Sequence, residues 1–309
     1  MEIHEGYESL DLGKPVVTLG IFDGVHRGHR VLLDTLVNRA AASGGDSVVI
    51  TFDPHPRLVI EKNRTRLSFL STMDEKKALL EKAHVGHLVI IRFTAAFSKM
   101  KACDFVERIL AGKVKTEHLI MGHGHHFGYR GEGSFKTVTE CADSQGFVVE
   151  QVPGLRSREG AISSSLIREA LLKGDLDNAN KWLGYCYSLK GQVIAGNKIG
   201  RKLGFPTANI RTDYRYKLVP ADGVYAVDIN VDGQTRPGML SIGTNPTINR
   251  TTGKRSIEVN IFDFEKDIYG LDIEVLFRYR LRNEIRFDSV EQLVLQMKQD
   301  REVAMKLLI

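Results

Sequence analysis

The chain has 309 residues, about twice the ~150 residues typical of one domain, so we expect two domains. Charged residues make up 26% and the hydrophobic set 42%, a balance that excludes a disordered or fibrous protein. The net charge of +5 suits either nucleic acid or phosphorylated small molecules and does not decide between them.

Membrane-spanning and secretory segments are not expected. The longest apolar runs, such as residues 48–50 and 88–91, are far shorter than the about 20 residues of a bilayer-spanning helix. The opening Met1-Glu2-Ile3-His4-Glu5 is acidic and lacks the basic and apolar regions of a signal peptide. We therefore expect a cytoplasmic protein.

The three cysteines are predicted to be unpaired. Cys103, Cys141 and Cys186 are too far apart for a C-x-x-C metal site, and an odd number fits disulfide pairing poorly. We interpret them as buried or incidental thiols in a reducing compartment.

The first half of the sequence predicts alternating strands and helices. Residues 16–19 form a short apolar run, apolar residues recur at helical spacing from 32 to 40, and residues 47–52 are strand-like again. Three further apolar runs, separated by helical stretches, continue the pattern at residues 88–91, 119–121 and 147–149. This order is typical of a parallel, Rossmann-like sheet, in which ligands bind at the carboxyl ends of the strands.

The second half predicts a small antiparallel β-barrel. Two helical segments, residues 166–172 and 176–183, precede a series of short strands in which Asp232-Gly233 indicates a hairpin. The strand-like runs are residues 189–194, 224–230, 238–242, 257–261 and 273–279. Asp288 and Glu291 have the spacing of a capping box and predict a final helix. We place the domains at residues 1–185 and 186–309.

A histidine-rich loop follows the first predicted strand. Gly20, Gly24 and Gly28 would let the backbone approach a phosphate closely, and the start of the next helix favours an anion. His26 and His29 are donors that could meet charge developing on an α-phosphate. Such a reaction needs no side-chain nucleophile, because holding two phosphate-bearing reactants in line carries most of the catalysis. The alternative is a pair of surface histidines at a helix start.

Three other segments are predicted to converge on this loop. Asp53-Pro54-His55-Pro56 and residues 122–128 each follow the end of a strand. Ser163-Ser164-Ser165, followed by Arg168, would place hydroxyls and a guanidinium on the first turn of a helix, which suits a triphosphate. A plain turn is the alternative for the first segment, and a plain helix cap for the third.

The histidines also permit a zinc site, with ligands from a set of five: His26, His29, His123, His125 and His126. We disfavour it because His125 and His126 are adjacent and no carboxylate accompanies them as in H-E-x-x-H. The sequence has neither a Walker-type phosphate loop nor a G-x-G-x-x-G turn at the first helix. A hydride-transferring dehydrogenase is therefore not expected.

A glycine-rich basic loop at residues 196–209 marks a second site. Thr207 and Asn209 would share one face of an extended segment, so a hydroxyl and an amide oxygen could reach a Mg²⁺ that bridges nucleotide phosphates. Glu258, within the strand-like run 257–261, is a candidate general base for an attacking hydroxyl. A flexible surface loop and a solvent-facing carboxylate are the alternatives.

In this order the motifs resemble the bacterial bifunctional riboflavin kinase/FMN adenylyltransferase family, also called FAD synthetases, along essentially the whole chain. The residues that carry the resemblance are 20–29, 53–56, 163–168, 196–209, 220–225, 243–247 and 267–270. The resemblance implies that a nucleotidyltransferase domain moves AMP from ATP to FMN and releases pyrophosphate. It also implies that a six-stranded barrel phosphorylates the 5′-hydroxyl of riboflavin with ATP and Mg²⁺.

The resemblance assigns roles to individual residues. It implies that His26, His29 and Glu258 are catalytic and that Thr207 and Asn209 bind the metal. The residues implied to bind nucleotide are Gly20, Phe22, Asp23, Gly28, Ser163, Ser164, Arg168, Gly200, Arg201, Gly204, Thr207 and Asn209. Those implied to bind flavin are Asp53, His55, Pro56, Asn245, Asp222 and Tyr225. The implied ligands are Mg²⁺, ATP, riboflavin, FMN and FAD; no nucleic acid or membrane partner is expected, and weak homo-oligomerisation is left open.

The sequence departs from the family pattern at two positions. Gly124 stands where the family usually has Asp, which predicts weaker adenylylation. Asn260 stands where the family often has His, beside the implied kinase base, and could tune that base without abolishing it.

Two other classes of function remain as alternatives. In one, only the kinase is active and the first half is a degenerate nucleotide-binding module. In the other, the basic chain binds nucleic acid through an OB-like barrel, with Phe205, Tyr214 and Tyr216 as candidate stacking residues.

Overall fold

The computed structural model describes residues 1–65, 67–196, 200, 204–212, 214–243 and 255–309. Its contacts divide the chain into two compact units, Met1–Ser164 and Ser165–Ile309. We describe the two units separately.

The first unit contains a six-stranded parallel sheet, which confirms the Rossmann-like prediction. Its strands lie in the order β1-β4-β3-β2-β5-β6. They are β1 Glu2–Glu5, β2 Val16–Leu19, β3 Ser47–Asp53, β4 His87–Arg92, β5 His118–Gly122 and β6 Val148–Val152. The central strands β2 and β3 are buried along their length, except for Asp53, because both faces of a parallel sheet are covered.

Helices cover both faces of this sheet. They are α1 Arg27–Ser43, α2 Pro56–Ile60, α3 Met73–Glu81, α4 Ala102–Phe105, which continues as a π-helical segment Val106–Ala111, and α5 Phe135–Asp143. Val16 packs in one cluster with residues of α1 and α3, whereas its neighbour Val17 packs in another with α4 and α5. Successive strand residues therefore bury opposite faces, as the pleat requires. Short 3₁₀ turns at Phe97–Lys99 and Tyr129–Gly131 and a small hairpin of β7 Arg156–Ser157 and β8 Gly160–Ala161 complete the described elements.

A disulfide joins α4 to α5. Cys103 and Cys141 are bonded, with their Cα atoms 5.6 Å apart, and Cys186 is free and half-buried. The prediction of three unpaired thiols is therefore wrong for two of them. The pair is 38 residues apart in sequence, so only the packing of α4 beside α5 on one sheet face brings the sulfur atoms together.

The second unit contains a closed six-stranded barrel, as predicted. Two helices precede it: α6 Ser164–Lys173, which starts at the unit boundary, and α7 Leu176–Leu183. The strands are β9 Ser188–Ile194, β10 Ala208–Arg211, β11 Gly223–Val231, β12 Gln234–Gly243, β13 Ser256–Ile261 and β14 Asp272–Arg282, in the order β10-β13-β12-β11-β14-β9. Asp232 and Gly233 both have positive φ and connect β11 to β12, so the predicted hairpin is confirmed.

Both α6 and α7 hydrogen-bond to residues of the barrel unit. The amide of Ala221 donates to the carbonyl of Leu171, and Asn180 Nδ2 donates to the carbonyl of Phe277 at 2.9 Å. Through these two hydrogen bonds, α6 and α7 each contact other residues of the second unit.

The last helix is α8, Val290–Leu308. Its N-cap is Ser289, whose hydroxyl accepts from the amide of Gln292 at 3.3 Å, while Gln292 Oε1 accepts from the amide of Asp288 at 3.3 Å. The predicted capping pair of Asp288 and Glu291 is therefore wrong by one residue. Among the described residues, no helix is both long and apolar enough to cross a membrane.

Candidate active sites

The two histidines of the H-x-G-H motif, His26-Arg27-Gly28-His29, are held against each other at the start of α1. His26 caps the helix, its Nδ1 accepting from the amide of His29 at 3.3 Å. The imidazole rings stack with centroids 3.7 Å apart, and the ring of Phe22 lies 5.1 Å from that of His29. Both rings are thus preorganised, and His26, which is 4% exposed, is a buried rather than a surface histidine.

The electrostatics keep His29 neutral at neutral pH. Burial lowers the pKa of His29 well below its usual value, and the nearby His26, Lys76 and His125 lower it further. Burial likewise lowers the pKa of His125 to about 4, with His126 adding to the effect. Among the described residues, the buried Nδ1 of His29 has no hydrogen-bond partner, so it is available to a ligand.

Lys76 supplies the positive charge of this site and was missed by the sequence reasoning. Its side chain is buried, and its Nζ lies 3.4 Å from Thr51 Oγ1. Burial lowers its pKa to about 8, against the opposing effect of Asp23 and Asp53. Its only sequence signal is its position in the first turn of α3, just after a capping box of Thr72 and Glu75.

Asp23, implied to bind nucleotide, uses its carboxylate to hold the loop before α3. Its Oδ1 accepts from the amides of Leu70 at 2.8 Å and Ser71 at 3.1 Å. The hydroxyl of Ser71 accepts in turn from the amide of Gly24 at 2.9 Å. Through these bonds Asp23 brings α3, and with it Lys76, to the histidine loop.

The segment before α6 also reaches the histidine loop. Ser164 Oγ donates to the carbonyl of Asp23 at 2.9 Å. A Cβ at Gly28 would lie 3.1 Å from the carbonyl oxygen of Ile162, so glycine allows this close approach. Gly20 continues the edge of β2, donating its amide to Ile50 at 3.0 Å. Ser163, which directly precedes Ser164, belongs to the same segment.

Arg168 lies further along α6, in the second unit. Its Nη2 donates to Ser165 Oγ at 3.1 Å on the exposed face of the helix. Its implied role toward ATP phosphates stays a prediction.

The Asp53-Pro54-His55-Pro56 segment presents a ring at the carboxyl end of β3. The imidazole of His55 stacks on Phe69, with centroids 4.0 Å apart and planes at 15°. Its Nδ1 caps α2 by accepting from the amide of Arg57 at 3.2 Å, and Pro56 begins that helix. Asp53 and Pro54 are joined by a cis peptide bond. The loop is thus an ordered platform beside the sheet edge.

The loop after β5 contains the first departure from the family pattern. Gly124 has φ of +74°, and no described atom lies within 4 Å of a Cβ added to it. The backbone there adopts a conformation that glycine favours, while the space around it would accept a small side chain. The next residue, His125, approaches His29 closely enough to lower its pKa.

In the barrel, the structure brings together the three residues predicted from the second motif. Asn209 on β10 is directly opposite Glu258 on β13. Glu258 Oε2 accepts from Thr207 Oγ1 at 3.4 Å, and its Oε1 accepts from Ser256 Oγ at 3.3 Å. A carboxylate, a hydroxyl and an amide therefore meet at one place, and such hard oxygen donors are the ligands that Mg²⁺ prefers.

Asn260, the second departure from the family pattern, hydrogen-bonds to the segment that carries Thr207. Its side chain is buried, and its Nδ2 donates to the carbonyl of Pro206 at 2.7 Å. Since Pro206 directly precedes Thr207, Asn260 positions the hydroxyl beside Glu258. The amide of Phe205 donates to the carbonyl of Gly200 at 2.8 Å, and a Cβ at Gly200 would lie 3.0 Å from Thr207 Oγ1.

The structure describes only some of the other predicted residues of this site. Gly204 has φ of +81°, as a turn glycine. Arg201 and Asn245 lie outside the described residues. A cleft beside Thr207 combines apolar and charged walls, and its lining includes Val193, Ile261, Phe264, Lys266 and Tyr269.

Asp222 and Tyr225, implied to bind flavin, stabilise the turn into β11. Asp222 Oδ1 pairs with Arg255 Nε at 2.6 Å. Tyr225 is fully buried, and its hydroxyl donates to the carbonyl of Ala221 at 2.6 Å. Burial raises the pKa of Tyr225, although the neighbouring Arg280 opposes the effect. Their part in flavin binding stays a prediction.

Comparison with known proteins matches each half of the chain to a family. Residues 9–166 match the FAD synthetase family and residues 183–308 the riboflavin kinase family. A bifunctional riboflavin kinase/FMN adenylyltransferase from Listeria monocytogenes is 39% identical over 96% of this chain and 92% of its own. The Bacillus subtilis protein of the same name is 34% identical over 95% and 92%.

A solved structure shares the whole architecture. The crystal structure of a protein named a macrolide-efflux protein, from Streptococcus pneumoniae, has a TM-score of 0.89 to this chain. The two are 32% identical, and the match covers 99% of each.

The first unit has a parallel sheet with buried histidines at its ligand-binding edge, and the second has a barrel with an oxygen-rich carboxylate site. Together these features define a bifunctional transferase acting on nucleotide phosphates. The full-length relatives make the class specific: the chain belongs to the bifunctional riboflavin kinase/FMN adenylyltransferase family. The fold and the family inferred from the sequence motifs are therefore confirmed.

Proposed function

We propose that the two activities are divided between the two halves, with FMN adenylylation in residues 1–185 and riboflavin phosphorylation in residues 186–309. The observation that carries the proposal is that each half holds its own complete polar site. The first contains buried neutral histidines and a buried lysine, and the second contains Glu258 with Thr207 and Asn209. Each site also falls within the matching family region.

For adenylyl transfer, a phosphate oxygen of FMN attacks the α-phosphorus of ATP, and the bond to pyrophosphate breaks. The incoming oxygen is already ionised, so no general base is required. His26 and His29 donate hydrogen bonds to the non-bridging oxygens, where charge develops, and Lys76 adds positive charge. Because burial keeps His29 neutral and the two rings stack in fixed positions, they stabilise the transition state with little reorganisation.

The remaining predicted residues of the first half hold the substrates. Gly20, Gly28, Ser163 and Ser164 form the phosphate-binding edge, with Phe22 and Asp23 shaping the loop beneath it. Arg168 is assigned to the ATP phosphates. We assign the flavin to the platform of Asp53, His55 and Pro56, since a ring stacked on Phe69 presents a flat surface for a flavin ring.

For phosphorylation, the 5′-hydroxyl of riboflavin attacks the γ-phosphorus of ATP, and ADP leaves. Glu258 accepts the hydroxyl proton. Thr207 and Asn209 would hold Mg²⁺, which neutralises phosphate charge during the transfer. The cleft beside Thr207 offers apolar walls for a planar ring, and Lys266 is among the residues that line it.

One incubation tests the proposed function. Purified protein is mixed with riboflavin, ATP and Mg²⁺, and the flavins are separated by chromatography. The proposal expects FAD. FMN alone would instead support a kinase with an inactive first half, and unchanged riboflavin would support a binding protein. A cytoplasmic location and weak self-association stay predictions.

A further inference from the structure

A second group of histidines lies where β1 and β4 begin. Glu2 and His87 are opposite each other in the parallel register, and His4, two residues along β1, shares the face of Glu2. One ligand atom from each of these three side chains lies within 4.8 Å of the other two. Within the part of the chain that the structure describes, this is the only such group of three.

The spacing of the three side chains is that of ligands around one small ion. His4 Nε2 lies 3.1 Å from His87 Nδ1; Glu2 Oε1 lies 3.7 Å from His4 Nε2, and Glu2 Oε2 lies 3.7 Å from His87 Nδ1. A tetrahedral zinc site with bonds of about 2.0–2.1 Å places its ligand atoms roughly 3.3–3.4 Å apart. Each of these three distances differs from that value by only a few tenths of an ångström, with one Glu2 oxygen facing each histidine.

A carboxylate lies close to the outer nitrogen of one of the histidines. The other nitrogen of His87, Nε2, lies 3.7 Å from Asp46 Oδ1, and Asp46 Oδ2 accepts from the amide of Gly13 at 2.7 Å. A carboxylate behind a ligating histidine fixes its ring and raises its basicity. The rings of His4 and His87 stack with centroids 5.4 Å apart and are mostly buried, whereas Glu2 is 66% exposed and leaves a path for an ion.

This group is separate from the adenylyltransferase site. The sheet is parallel, and His87 is the first residue of β4, so the group lies at the amino edge of the sheet. The H-x-G-H loop follows the carboxyl end of β2, at the opposite edge. Neither His26 nor His29 can belong to the same ion site.

We propose that Glu2, His4 and His87 bind one Zn²⁺, with Asp46 orienting His87 and water completing the coordination. Two imidazoles and one carboxylate select a borderline transition metal, whereas Mg²⁺ prefers oxygen ligands alone. The ion would link the N-terminal strand β1 to its neighbour β4. Because it binds only the folded sheet, it stabilises that sheet by mass action.

Metal titration of the full chain tests the proposal. The protein carries no N-terminal tag, is freed of metal with a chelator and is titrated with Co²⁺, whose visible absorption reports tetrahedral coordination. We expect one Co²⁺ per chain, displaced by an equivalent of Zn²⁺ and unaffected by millimolar Mg²⁺. Zn²⁺ should raise the melting temperature.

Variants assign the signal to residues. His87→Gln and Glu2→Gln should weaken Co²⁺ binding at least tenfold, and Asp46→Asn should weaken it about 10- to 100-fold. Glu2→Gln changes an exposed side chain, so its loss of binding cannot be ascribed to misfolding. His125→Gln is the matched control and should bind Co²⁺ normally.

The proposal is overturned if Glu2→Gln and His87→Gln both bind Co²⁺ as tightly as the parent. It is equally overturned if His125→Gln alone abolishes the signal, which would place the metal among the adenylyltransferase histidines. Displacement of Co²⁺ by Mg²⁺ as readily as by Zn²⁺ would contradict the assigned metal class.

Discussion

Lys76 shows how one side chain can cost stability and serve a reaction. Burial lowers the pKa of Lys76 to about 8, and the nearby Asp23 and Asp53 oppose that effect. Charge of this kind is worth most where phosphate charge must be neutralised and water is excluded. A buried charge that destabilises the fold but contributes to a reaction is a common reason why higher activity comes with lower stability.

Lys76→Met should therefore raise the melting temperature and reduce adenylylation of FMN at least tenfold. The pKa of Lys76 is lower in the folded than in the unfolded chain, so the unfolded chain binds more protons between about pH 8 and the ordinary value of 10.5. The stability gain should thus be largest below pH 8 and shrink as the pH rises. Calorimetry and a coupled pyrophosphate assay measure the two effects.

Lys77→Met, at the next position of α3, is the matched control and should leave adenylylation near the parent value. If Lys76→Met kept full adenylylation, Lys76 would be a structural residue only.

Glu258 is the residue on which the kinase proposal depends. Glu258→Gln keeps size and hydrogen bonding but cannot accept the hydroxyl proton, so phosphorylation of riboflavin should fall about 100-fold or more. FMN supplied directly should still be converted to FAD. Flavin chromatography measures both conversions in one protein.

The control for Glu258 is Glu274→Gln, which removes a barrel carboxylate that bonds to Ser188 and Asn230 instead. A near-normal kinase rate in Glu258→Gln would move the base elsewhere, and Glu284 and Asp267 would be tested next.

Gly124 departs from the family pattern, and its positive φ is a backbone conformation that glycine favours. With riboflavin and excess ATP, FMN should accumulate before FAD appears, because glycine offers no carboxylate acceptor to a ligand. Gly124→Asp should shorten this lag, since the space around the position is open and Asp tolerates positive φ better than most residues. A time course of flavin products measures the lag.

Gly124→Ala separates the carboxylate from the backbone effect. Both substitutions should lower the melting temperature, because Gly124 has a positive φ, but Ala should not shorten the lag. Absence of a lag in the parent, or a slower Asp variant, would show that glycine is accommodated there without cost to the reaction.

At the scale of the element, α8 depends on a buried ion pair. Arg282 on β14 donates to Asp300 on α8 through Nε at 3.0 Å and Nη2 at 2.7 Å, and Asp300 is 5% exposed. Gln296 also donates to Asp300 at 3.0 Å. Removing one partner of a buried pair leaves an uncompensated charge, which is more costly than never having had the pair.

Asp300→Asn should therefore destabilise the barrel by about 3 kcal/mol, measured by denaturant unfolding. Asp263→Asn breaks an exposed pair with Arg301 from the same helix and should cost less than about 1 kcal/mol. Equal effects of the two substitutions would contradict the role assigned to the buried pair.

At the scale of the whole molecule, the division of labour makes the activities separable. His29→Ala should reduce FAD formation about 100- to 1,000-fold, because a preorganised donor to the transition state is lost. FMN formation from riboflavin should continue at the parent rate and serves as the internal control for folding. A parallel fall in both activities, with an unchanged melting temperature, would refute the two-site assignment.

The sequence by itself determined the architecture and the family. Strand and helix periodicity, the Asp232-Gly233 hairpin and the order of the motifs are local signals, so they can be read without knowing which segments pack together. The same is true of His26 and His29, whose place after a strand and before a helix already indicates a phosphate site.

Only the tertiary structure decided the features that depend on residues distant in sequence. Lys76 reaches the site because Asp23 binds the amides of Leu70 and Ser71, and its lowered pKa follows from burial that no local pattern reports. Cys103 and Cys141 pair because α4 and α5 lie side by side. Desolvation and cross-chain contacts are properties of packing, and packing is set by the whole fold rather than by any one segment.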